Sequence, residues 1–535
     1  MKKQTKVLAT LSAAALLAVG FTAVSFAEGW DNSTGSWQYL NKDGEAVVDE
    51  WKTSNGQKFY LGDDGNMVTN SLIEDTSSTK TQYYYVDANG AMVTNTWKAV
   101  ALDGDENTDL DAEYWWYYFG SDGKAYRMDD GKTLSKGRVK TINGLKYAFD
   151  EEGHMLYGWI NASDVNQNDS DDKAWETADW YFNGWNDGHA ATGWQQIDVV
   201  NDDDEDKTYW FHFNSYGKKD KGRKKINGKY YHLDSADGHM VDEWDTAVAT
   251  KSTTTSSTTY LVGTGFNAST STADVRYLNG DGAERKSKWV WAIPDEDWIP
   301  DDYNDDEYSW FYFDKGGKLT TTQIKKINGK SYAFDKLGRM QTGLVAEERE
   351  YDSAKDSAKK TWKSTSVAEV DDWDKMSRDE IMQNDWAALT KKGVVNDQDT
   401  KNLYYFNENE ETDGRRMTGY QKLGLDDGDY QFYFDSKTGK AATGYVKKIR
   451  KYTINGLVIE PTSDDENNYW GLKVTEDADG VLKSIEIHKT ASDMEAGDIV
   501  VNKSGTKVTS SKVKDENGYY IHIKNGVFDY AELDE

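Results

Sequence analysis

A short unit of aromatic residues followed by a glycine-containing turn recurs along this chain of 535 residues. Such a period constrains the fold more than any local preference does. One copy reads Trp37-Gln38-Tyr39-Leu40, then Asp43-Gly44, then Val47-Val48 and Trp51. The turn glycines of the successive copies are Gly44, Gly65, Gly90, Gly123, Gly153, Gly188, Gly217, Gly238, Gly282, Gly317, Gly338, Gly414 and Gly439. Their smallest spacing is 21 residues, so longer spacings indicate insertions in loops.

Each unit has the composition of a β-hairpin. Aromatic side chains suit a pleated strand, and a tight turn requires the positive φ that glycine adopts readily. A lone hairpin is only marginally stable in water, whereas stacked hairpins bury one another's faces. The sequence therefore predicts an all-β fold, a solenoid of β-hairpin repeats, with a small helical insertion and a β-rich C-terminal cap.

A longer rhythm lies over the short one. An Ile-Asn-Gly motif follows an aromatic hairpin at four places, at residues 142–144, 226–228, 327–329 and 454–456. The first three motifs introduce a second hairpin, such as Lys229-Tyr230-Tyr231-His232-Leu233. We interpret this as duplication of the repeat in pairs.

These patterns divide the chain into segments. We predict a signal peptide at 1–27, hairpin repeats at 28–248, a Ser/Thr-rich excursion at 249–275, hairpin repeats at 276–344, an insertion with a helix at 345–400, hairpin repeats at 401–456 and a β-rich C-terminal region at 457–535.

A helix is predicted inside the insertion. Ser377 and Glu380 have the spacing of a capping box, which satisfies backbone N–H groups at a helix start. The apolar stripe that follows is Ile381, Met382, Trp386 and Leu389, and Gly393 is the expected stop. The helix packs on the hairpins or stands as a small inserted module, and a partner-binding helix is the alternative.

The first residues have the layout of a secretory signal. Lys2, Lys3 and Lys6 lead into an apolar run from Val7 to Val24, and Ser25-Phe26-Ala27 is a small-residue cleavage pattern. We expect cleavage after Ala27, with an uncleaved membrane anchor as the alternative. The chain has no cysteine, which excludes disulfides, thiolate metal sites and a cysteine nucleophile. We expect a secreted protein of a Gram-positive bacterium, located at the cell wall or cell surface.

The formal net charge of −31 limits the partners. It repels nucleic acid and anionic lipid, so we expect neither as a partner, and no membrane span after signal cleavage. It also repels the phosphates of a wall teichoic acid. Attraction to that polymer would therefore act through a cationic substituent such as choline, or through a neutral glycan.

Two segments resemble the cell-wall-binding repeats of choline-binding proteins. One runs from Trp180-Tyr181-Phe182 to Thr192-Gly193-Trp194, and the other from Phe432-Tyr433-Phe434 to Thr443-Gly444-Tyr445. The repeats are similar also to the glucan-binding repeats of glucosyltransferases and the carbohydrate-binding repeats of large clostridial toxins. The resemblance covers roughly residues 30 to 456. It implies a hairpin solenoid with a binding role and no catalysis.

The resemblance also implies where ligands bind. In choline-binding repeats the ligand sits between consecutive hairpins in a box of about three aromatic rings, whose faces attract a quaternary ammonium. The corresponding residues here are Trp37, Trp51, Tyr60, Trp97, Trp159, Trp180, Trp194, Trp210 and Trp244. Of these, Trp37, Trp51 and Tyr60 are the best-spaced box. Packing in the core is the competing interpretation for each ring, because stacked aromatics also hold a thin solenoid together.

Other chemistry has weaker support. Residues 103–111 alternate acids like a calcium loop, but Thr108 stands where such a loop needs glycine, so a solvated acidic loop is the better interpretation. We expect no metal and no cofactor, and no nucleophile elbow or phosphate loop appears in the sequence. Three functions follow from the sequence. The first is a non-catalytic cell-wall-binding surface protein, the second a secreted carbohydrate-binding adhesin, and the third a wall hydrolase with its catalytic site at 345–400 or near the C-terminus.

Overall fold

The computed structural model describes residues 6–9, 28–76, 80–102, 112–129, 131–165, 171–201, 203–246, 248–251, 258–261, 275–296, 298–351, 362–391, 400–408, 413–463 and 465–534. Of the predicted signal peptide it describes Lys6–Ala9, a strand paired antiparallel with Ser71–Asp75. The acidic loop at 103–111 and most of the Ser/Thr-rich excursion lie outside the described residues. The chain forms two compact units, which divide near Asp242 and Glu243.

The first unit is built of short antiparallel hairpins. Its strands are Lys6–Ala9, Gly29–Asp31, Gln38–Leu40, Glu50–Ser54, Gln57–Leu61, Ser71–Asp75, Gln82–Val86, Thr96–Ala101, Tyr114–Phe119, Lys140–Ile142, Leu145–Tyr147, Gly158–Ile160, Trp180–Phe182, Gly193–Val200, Asp206–Phe213, Gly222–Ile226 and Lys229–Leu233. One short helix, Ala174–Thr177, lies in a loop of this unit. The strands Val248–Lys251 and Thr258–Leu261 follow at the division between the units.

The second unit continues the same architecture. Its strands are Trp244–Asp245, Arg276–Tyr277, Lys288–Ala292, Ser309–Phe313, Gln323–Ile327, Lys330–Phe334, Met340–Gln341, Gly343–Tyr351, Trp362–Glu369, Lys401–Phe406, Gly419–Leu425, Gly428–Phe434, Gly444–Val446, Lys451–Ile454, Leu457–Val458, Tyr469–Glu476, Leu482–His488, Ile499–Asn502, Lys512–Lys514, Tyr519–Lys524 and Val527–Leu533. Its helical segments are Pro300–Asn304, the 3-10 turn Trp373–Lys375 and Arg378–Gln383. The all-β prediction is confirmed for the described residues. The predicted strand pairing was wrong, because Glu50–Ser54 pairs with the aromatic strand Gln57–Leu61 that follows it, while the turn at Gly44 leads only to an isolated bridge between Leu40 and Ala46.

The Ile-Asn-Gly rhythm has a structural cause. Each motif places Asn and Gly in a two-residue turn with positive φ at both positions, as at Asn143 (φ 50°) and Gly144 (φ 87°). The same turn forms at Asn227-Gly228, Asn328-Gly329 and Asn455-Gly456. Its twist matches that of the flanking strands, so it closes tight hairpins. The prediction of hairpins at these motifs is confirmed.

Neighbouring hairpins are joined through the residue that lies two positions after a turn glycine. The backbone N–H of Met67 donates to the carbonyl oxygen of Trp37 on the preceding hairpin at 2.6 Å, and Met155 donates to Trp116 at 2.8 Å. The side chain at this position lies against the next turn glycine. A Cβ added at Gly65, for example, would lie 2.9 Å from the Cβ of Ala46. Glycine is therefore required at the turn for two reasons: it adopts the positive φ, and its lack of a Cβ allows the neighbouring hairpin to approach closely.

Equivalent residues of successive hairpins form the hydrophobic core. At or just after the end of the second strand of most hairpins, one aromatic or aliphatic residue is almost fully buried. In the first unit these residues are Leu61, Val86, Phe119, Phe149, Phe182, Phe213 and Leu233. In the second unit they are Leu278, Phe313, Phe334, Phe406 and Phe434. Because strand side chains alternate between faces, the residue before each of them points to the opposite face.

The predicted helix exists but is shorter than predicted. Ser377 and Glu380 form the capping box, and the helix runs only from Arg378 to Gln383. The predicted stripe was therefore wrong beyond Met382. The cause is Asn384, which has extended φ and ψ and whose side-chain amide donates to the carbonyl oxygen of Glu380 at 2.8 Å, so it ends the helix. The predicted stop, Gly393, lies outside the described residues.

The region after residue 457 is rich in strands, as predicted. Tyr469–Glu476 pairs with Leu482–His488 on one side and Ile499–Asn502 on the other. Tyr519–Lys524 lies between Lys512–Lys514 and Val527–Leu533. In the part of the chain that the structure describes, no helix has the length and apolar character needed to cross a membrane.

Candidate functional site

Aromatic rings meet both within each hairpin and between successive hairpins. Trp51 lies opposite Tyr60 in the strand register, with ring centroids 5.1 Å apart. Tyr84 of the next hairpin also lies 5.1 Å from Trp51. The same three-ring contact forms around Trp97, Trp159, Trp244 and Trp289, and with His212 as one ring around Trp194.

One of these contacts borders an open cavity. Trp289, Trp310, Tyr332 and Met340 line a volume of about 200 Å³ in the second unit. The rings of Trp289 and Trp310 stand perpendicular, at 90° with centroids 6.2 Å apart, and Tyr332 lies 4.8 Å from Trp289 at 71°. Ring faces that converge on one small apolar space suit a cation that makes no hydrogen bonds.

Two sets of residues in the first unit occupy the same positions. Trp194 lies 6.4 Å from Trp210 at 83° and 4.8 Å from Tyr231, and Met240 is the residue two after the turn glycine. The second set consists of Trp97, Trp116, Tyr147 and Met155, which pack in one cluster. These two sets and the set of Trp289, Trp310, Tyr332 and Met340 are called the aromatic boxes below. In each, the tyrosine belongs to the hairpin that an Ile-Asn-Gly turn closes.

The predicted site residues fall into several environments. Trp97, Trp194 and Trp210 line aromatic boxes, and Trp210 is 41% exposed. Trp51 contacts both Tyr60 and Tyr84, and Tyr84 was not among the predicted site residues. Trp37 precedes a strand triplet as Trp116 and Trp210 do, and its carbonyl accepts the same cross-hairpin hydrogen bond from Met67.

Three predicted residues lie in packed surroundings. Trp180 is only 1% exposed and stacks on Phe182 at 6.1 Å. Trp244 is enclosed by the ring of Trp298, with centroids 5.1 Å apart and Trp298 4% exposed. For Trp180 and Trp244, packing therefore accounts for the ring. Trp159 contacts Tyr181 and Phe211, and a lysine side chain lies over the rings of Trp159 and Phe211.

The sequence analysis missed Trp289, Trp310 and Tyr332. The signal was present in the spacing, because Trp289 follows Gly282 by seven residues, as Trp51 follows Gly44 and Trp97 follows Gly90. A methionine two residues after a turn glycine was the second available signal.

The lysine beside Trp159 is buried among aromatic rings. The Nζ of Lys219 lies 5.0 Å from the ring centroid of Trp159 and 5.5 Å from that of Phe211. Burial, assisted by the charge of Lys221, lowers the pKa of Lys219 from 10.5 to about 7, although the carboxylates of Asp237, Asp179 and Asp234 act to raise it. The ammonium is thus desolvated, and ring faces and carboxylates partly compensate for this.

Stability is expected to rise between about pH 7 and pH 9 because of Lys219. In this window the unfolded chain holds a proton that the folded chain has released, so the free energy of unfolding increases with pH, by about 2 kcal/mol over the window. The Lys219→Met variant should lack this increase. Urea unfolding of both proteins at pH 7 and pH 9 measures how the unfolding free energy changes with pH in each. Subtracting the two changes removes the contribution of groups that both proteins share, such as His239, whose pKa is raised. An equal pH dependence in both proteins would contradict a depressed pKa at Lys219.

One group of metal-ligand residue types occurs among the described residues. Asp150, Glu152 and His154 bring their side chains together. The Nδ1 of His154 is hydrogen-bonded to Asp150 at 2.8 Å, and its ring stacks on Trp115 at 4.2 Å. These contacts account for the cluster, and we assign no metal to it.

The insertion at 345–400 contains a carboxyl group whose pKa is raised. Burial and the neighbouring Glu408 raise the pKa of Glu369 to about 7. Burial also raises the pKa of Glu408, which accepts a hydrogen bond from the hydroxyl of Tyr405 at 3.1 Å. A carboxyl group with a pKa near neutrality can exchange protons at physiological pH, so this pair is where the hydrolase hypothesis has its chemistry.

Comparison with known proteins confirms the resemblance to choline-binding repeats. Residues 48–97 match the family model of the choline-binding repeat. Glucosyltransferase-S of Streptococcus mutans is 28% identical over 164 residues, which covers 28% of this chain and 9% of that protein. The aligned part is thus a small fraction of the relative's length.

Solved structures of pneumococcal proteins align with parts of the chain. Choline-binding protein F of Streptococcus pneumoniae, determined with a peptidoglycan analogue, aligns at 19% identity and a TM-score of 0.33, over 59% of this chain and 93% of that one. CbpJ of Streptococcus pneumoniae TIGR4 aligns at 17% identity and a TM-score of 0.32, over 59% and 95%. The modular autolysin LytC of the same species aligns at 18% identity and a TM-score of 0.29, over 58% and 52%.

Proposed function

We propose that this chain is a non-catalytic, exported cell-wall-binding protein that captures choline-type quaternary ammonium groups in its aromatic boxes. The cavity between Trp289, Trp310, Tyr332 and Met340 carries the proposal, since its perpendicular rings converge on a space of about 200 Å³. A quaternary ammonium cannot donate hydrogen bonds and is weakly hydrated, so ring faces attract it with roughly 0.5 to 2 kcal/mol each. Three rings then correspond to about millimolar affinity.

The hairpins, in this proposal, form a solenoid that presents the boxes in series. The hydrogen bonds from Met67 to Trp37, Met155 to Trp116 and Met240 to Trp210 support it, because each joins one hairpin to the turn of the next. Several weak sites on one chain increase binding to a polymer by roughly 10² to 10⁴ through avidity. A protein held in this way needs no tight single site.

The sequence supports the wall as the location of the ligand. The choline-binding repeat at 48–97 is the basis for choline, and the signal-like start is the basis for export. The net charge of −31 opposes contact with the phosphates of a teichoic acid, so binding would depend on the choline cation. This explains why aromatic faces, rather than basic patches, are the repeated feature.

Retention on a choline-bearing resin tests this function. The full chain should be retained at high salt, which suppresses plain anion exchange by a protein of charge −31, and free choline should elute it. Sodium chloride of the same ionic strength is the control eluent and should not release the protein. Passage of the folded protein through the column would contradict choline recognition.

A carbohydrate-binding adhesin is the second candidate, and one surface favours it. Trp291 is 45% and Tyr308 is 52% exposed, and their rings stack at 5.7 Å and 23°. Trp310 extends this platform, at 5.3 Å from Trp291. An exposed, nearly flat aromatic surface is typical of ligand contact, and it suits the apolar face of a neutral sugar ring. Retention on a glucan resin that is lost when Trp291 and Tyr308 become alanine would favour this function.

The hydrolase hypothesis has a simple test. A zymogram with cell-wall substrate should show no clearing by the folded chain, as expected for a binding protein. Clearing that disappears in the Glu369→Gln variant would contradict the non-catalytic assignment.

A further inference from the structure

The space beside Trp159 is built like an aromatic box but already contains a cation. The rings of Trp159 and Phe211 lie 5.1 Å apart at 66°, and the Nζ of Lys219 lies over both. The same Nζ donates a hydrogen bond to the backbone carbonyl oxygen of Trp175. Lys219 is only 4% exposed, so its charged end lies inside the protein.

Lys219 occupies the position that methionine has in the boxes. It follows the turn glycine Gly217 by two residues, as Met240 follows Gly238. The backbone N–H of each residue donates to a carbonyl oxygen of the preceding hairpin, at 2.7 Å in both cases. The stem of Lys219 then lies against the next turn glycine, with Cδ and Cε 3.2 Å from a Cβ placed at Gly238. The register of this hairpin is thus that of a box, but Asp179 occupies the position of Trp116 and Trp210, Phe211 that of Tyr147 and Tyr231, and Lys219 that of the methionine.

We propose that the cage of Trp159 and Phe211 is a latent ammonium-binding site whose ligand is the side chain of Lys219. The inference rests on the proposed function, because it takes the aromatic boxes as cation sites. A tethered ligand has an effective concentration of about millimolar or more, so free choline must exceed this concentration to displace it. The hydrogen bond to Trp175 adds an interaction that a quaternary ammonium cannot make.

The surroundings explain why a primary amine is stable here. A buried ammonium requires a hydrogen-bond acceptor, and the helix Ala174–Thr177 supplies the carbonyl of Trp175 from a loop insertion. The ring of Trp175 packs on Phe211 at 5.9 Å and its Nε1 donates to the carbonyl oxygen of Val200 at 2.8 Å, which fixes the carbonyl in place. The insertion therefore converts a box into a closed internal contact.

Removing the lysine should open the site. In the Lys219→Met variant, which places the methionine of the boxes at this position, we expect one additional bound choline per chain in equilibrium dialysis with radiolabelled choline at pH 6, where the wild-type amine is protonated. The affinity of this cage for choline should rise by roughly 10-fold, because the tethered competitor and its hydrogen bond to Trp175 are gone. In the wild-type protein the cage should bind no choline at these concentrations.

Two matched variants separate this effect from a change in net charge. Lys219→Arg keeps a cation in the cage, and Lys218→Met removes a positive charge from the adjacent, 48% exposed side chain that pairs with Asp179. Both should bind the same number of cholines as the wild type. An equal increase in Lys218→Met and Lys219→Met would overturn the proposal, and so would a Lys219→Met variant that is folded but binds no additional choline.

The outcomes also separate this proposal from the proposed function. A wild-type chain that binds no choline contradicts the function, while a single site that appears in Lys219→Met would still support the latent cage. Should Lys219→Met not fold, crystals of the wild-type protein soaked with choline decide. Choline between Trp159 and Phe211 with Lys219 displaced would overturn the proposal, and Lys219 in place beside choline-filled boxes would support it.

Discussion

Simultaneous replacement of Trp210 and Trp310 by alanine is expected to reduce retention on choline resin by on the order of 10²-fold. Each substitution removes one of three ring faces from a box, at a cost of roughly 0.5 to 2 kcal/mol per box. Two weakened boxes then reduce the avidity of the whole chain. Replacement of Trp291 and Tyr308 by alanine should leave this retention unchanged, because neither ring lines a box.

The two double variants each include one tryptophan of similar exposure. Trp210 is 41% exposed and Trp291 is 45% exposed, so neither loss should unfold the chain, and circular dichroism checks this. Retention of the same two variants is also measured on a glucan resin. If retention on choline resin falls equally in both variants, the boxes are not the choline sites. If only the Trp291 and Tyr308 variant changes, and on glucan alone, the adhesin function is favoured.

The Gly65→Ala variant is expected to lose about 2 to 4 kcal/mol of unfolding free energy, whereas Gly56→Ala loses about 1 kcal/mol. Both glycines have a φ of 78°, so the backbone strain is the same. At Gly65 the new Cβ would lie 2.9 Å from the Cβ of Ala46, which cannot rotate away, while nothing lies within 4 Å of a Cβ at Gly56. The difference between the two variants therefore measures the contact between neighbouring hairpins.

Urea unfolding of the two variants and the wild type gives this difference. Alanine is the smallest side chain that adds a Cβ, so no other atom complicates the comparison. Equal destabilisation at Gly65 and Gly56 would mean that the hairpins tolerate a wider spacing, and that the close approach at the turn is not required for stability.

The hairpins and their turns could be predicted from the sequence, because they depend on local patterns. The glycine spacing, the Ile-Asn-Gly turns and the capping box of Ser377 and Glu380 are each decided by a few adjacent residues. The C-terminal end of that helix could not be predicted, because Asn384 ends it through a hydrogen bond to a backbone carbonyl.

The aromatic boxes were harder to predict because their rings come from successive hairpins separated by insertions of different length. Trp180 and Trp116 look alike in sequence. When the strands are aligned on their buried last residues, Trp180 occupies the position of Phe211, whereas Trp116 occupies the position before it. Since strand side chains alternate between faces, this shift of one residue decides between the core and a box. The role of Lys219 could not be predicted at all, because it depends on burial and on a carbonyl of a distant loop.

A crystal structure of the full chain soaked with choline tests the central claim most directly. The account predicts electron density for the trimethylammonium group in the aromatic boxes of Trp97, Trp194 and Trp289, within about 6 Å of the ring centroids, as cation–π contact requires. Boxes that stay empty at choline concentrations well above millimolar, in crystals whose packing leaves them open, would contradict it.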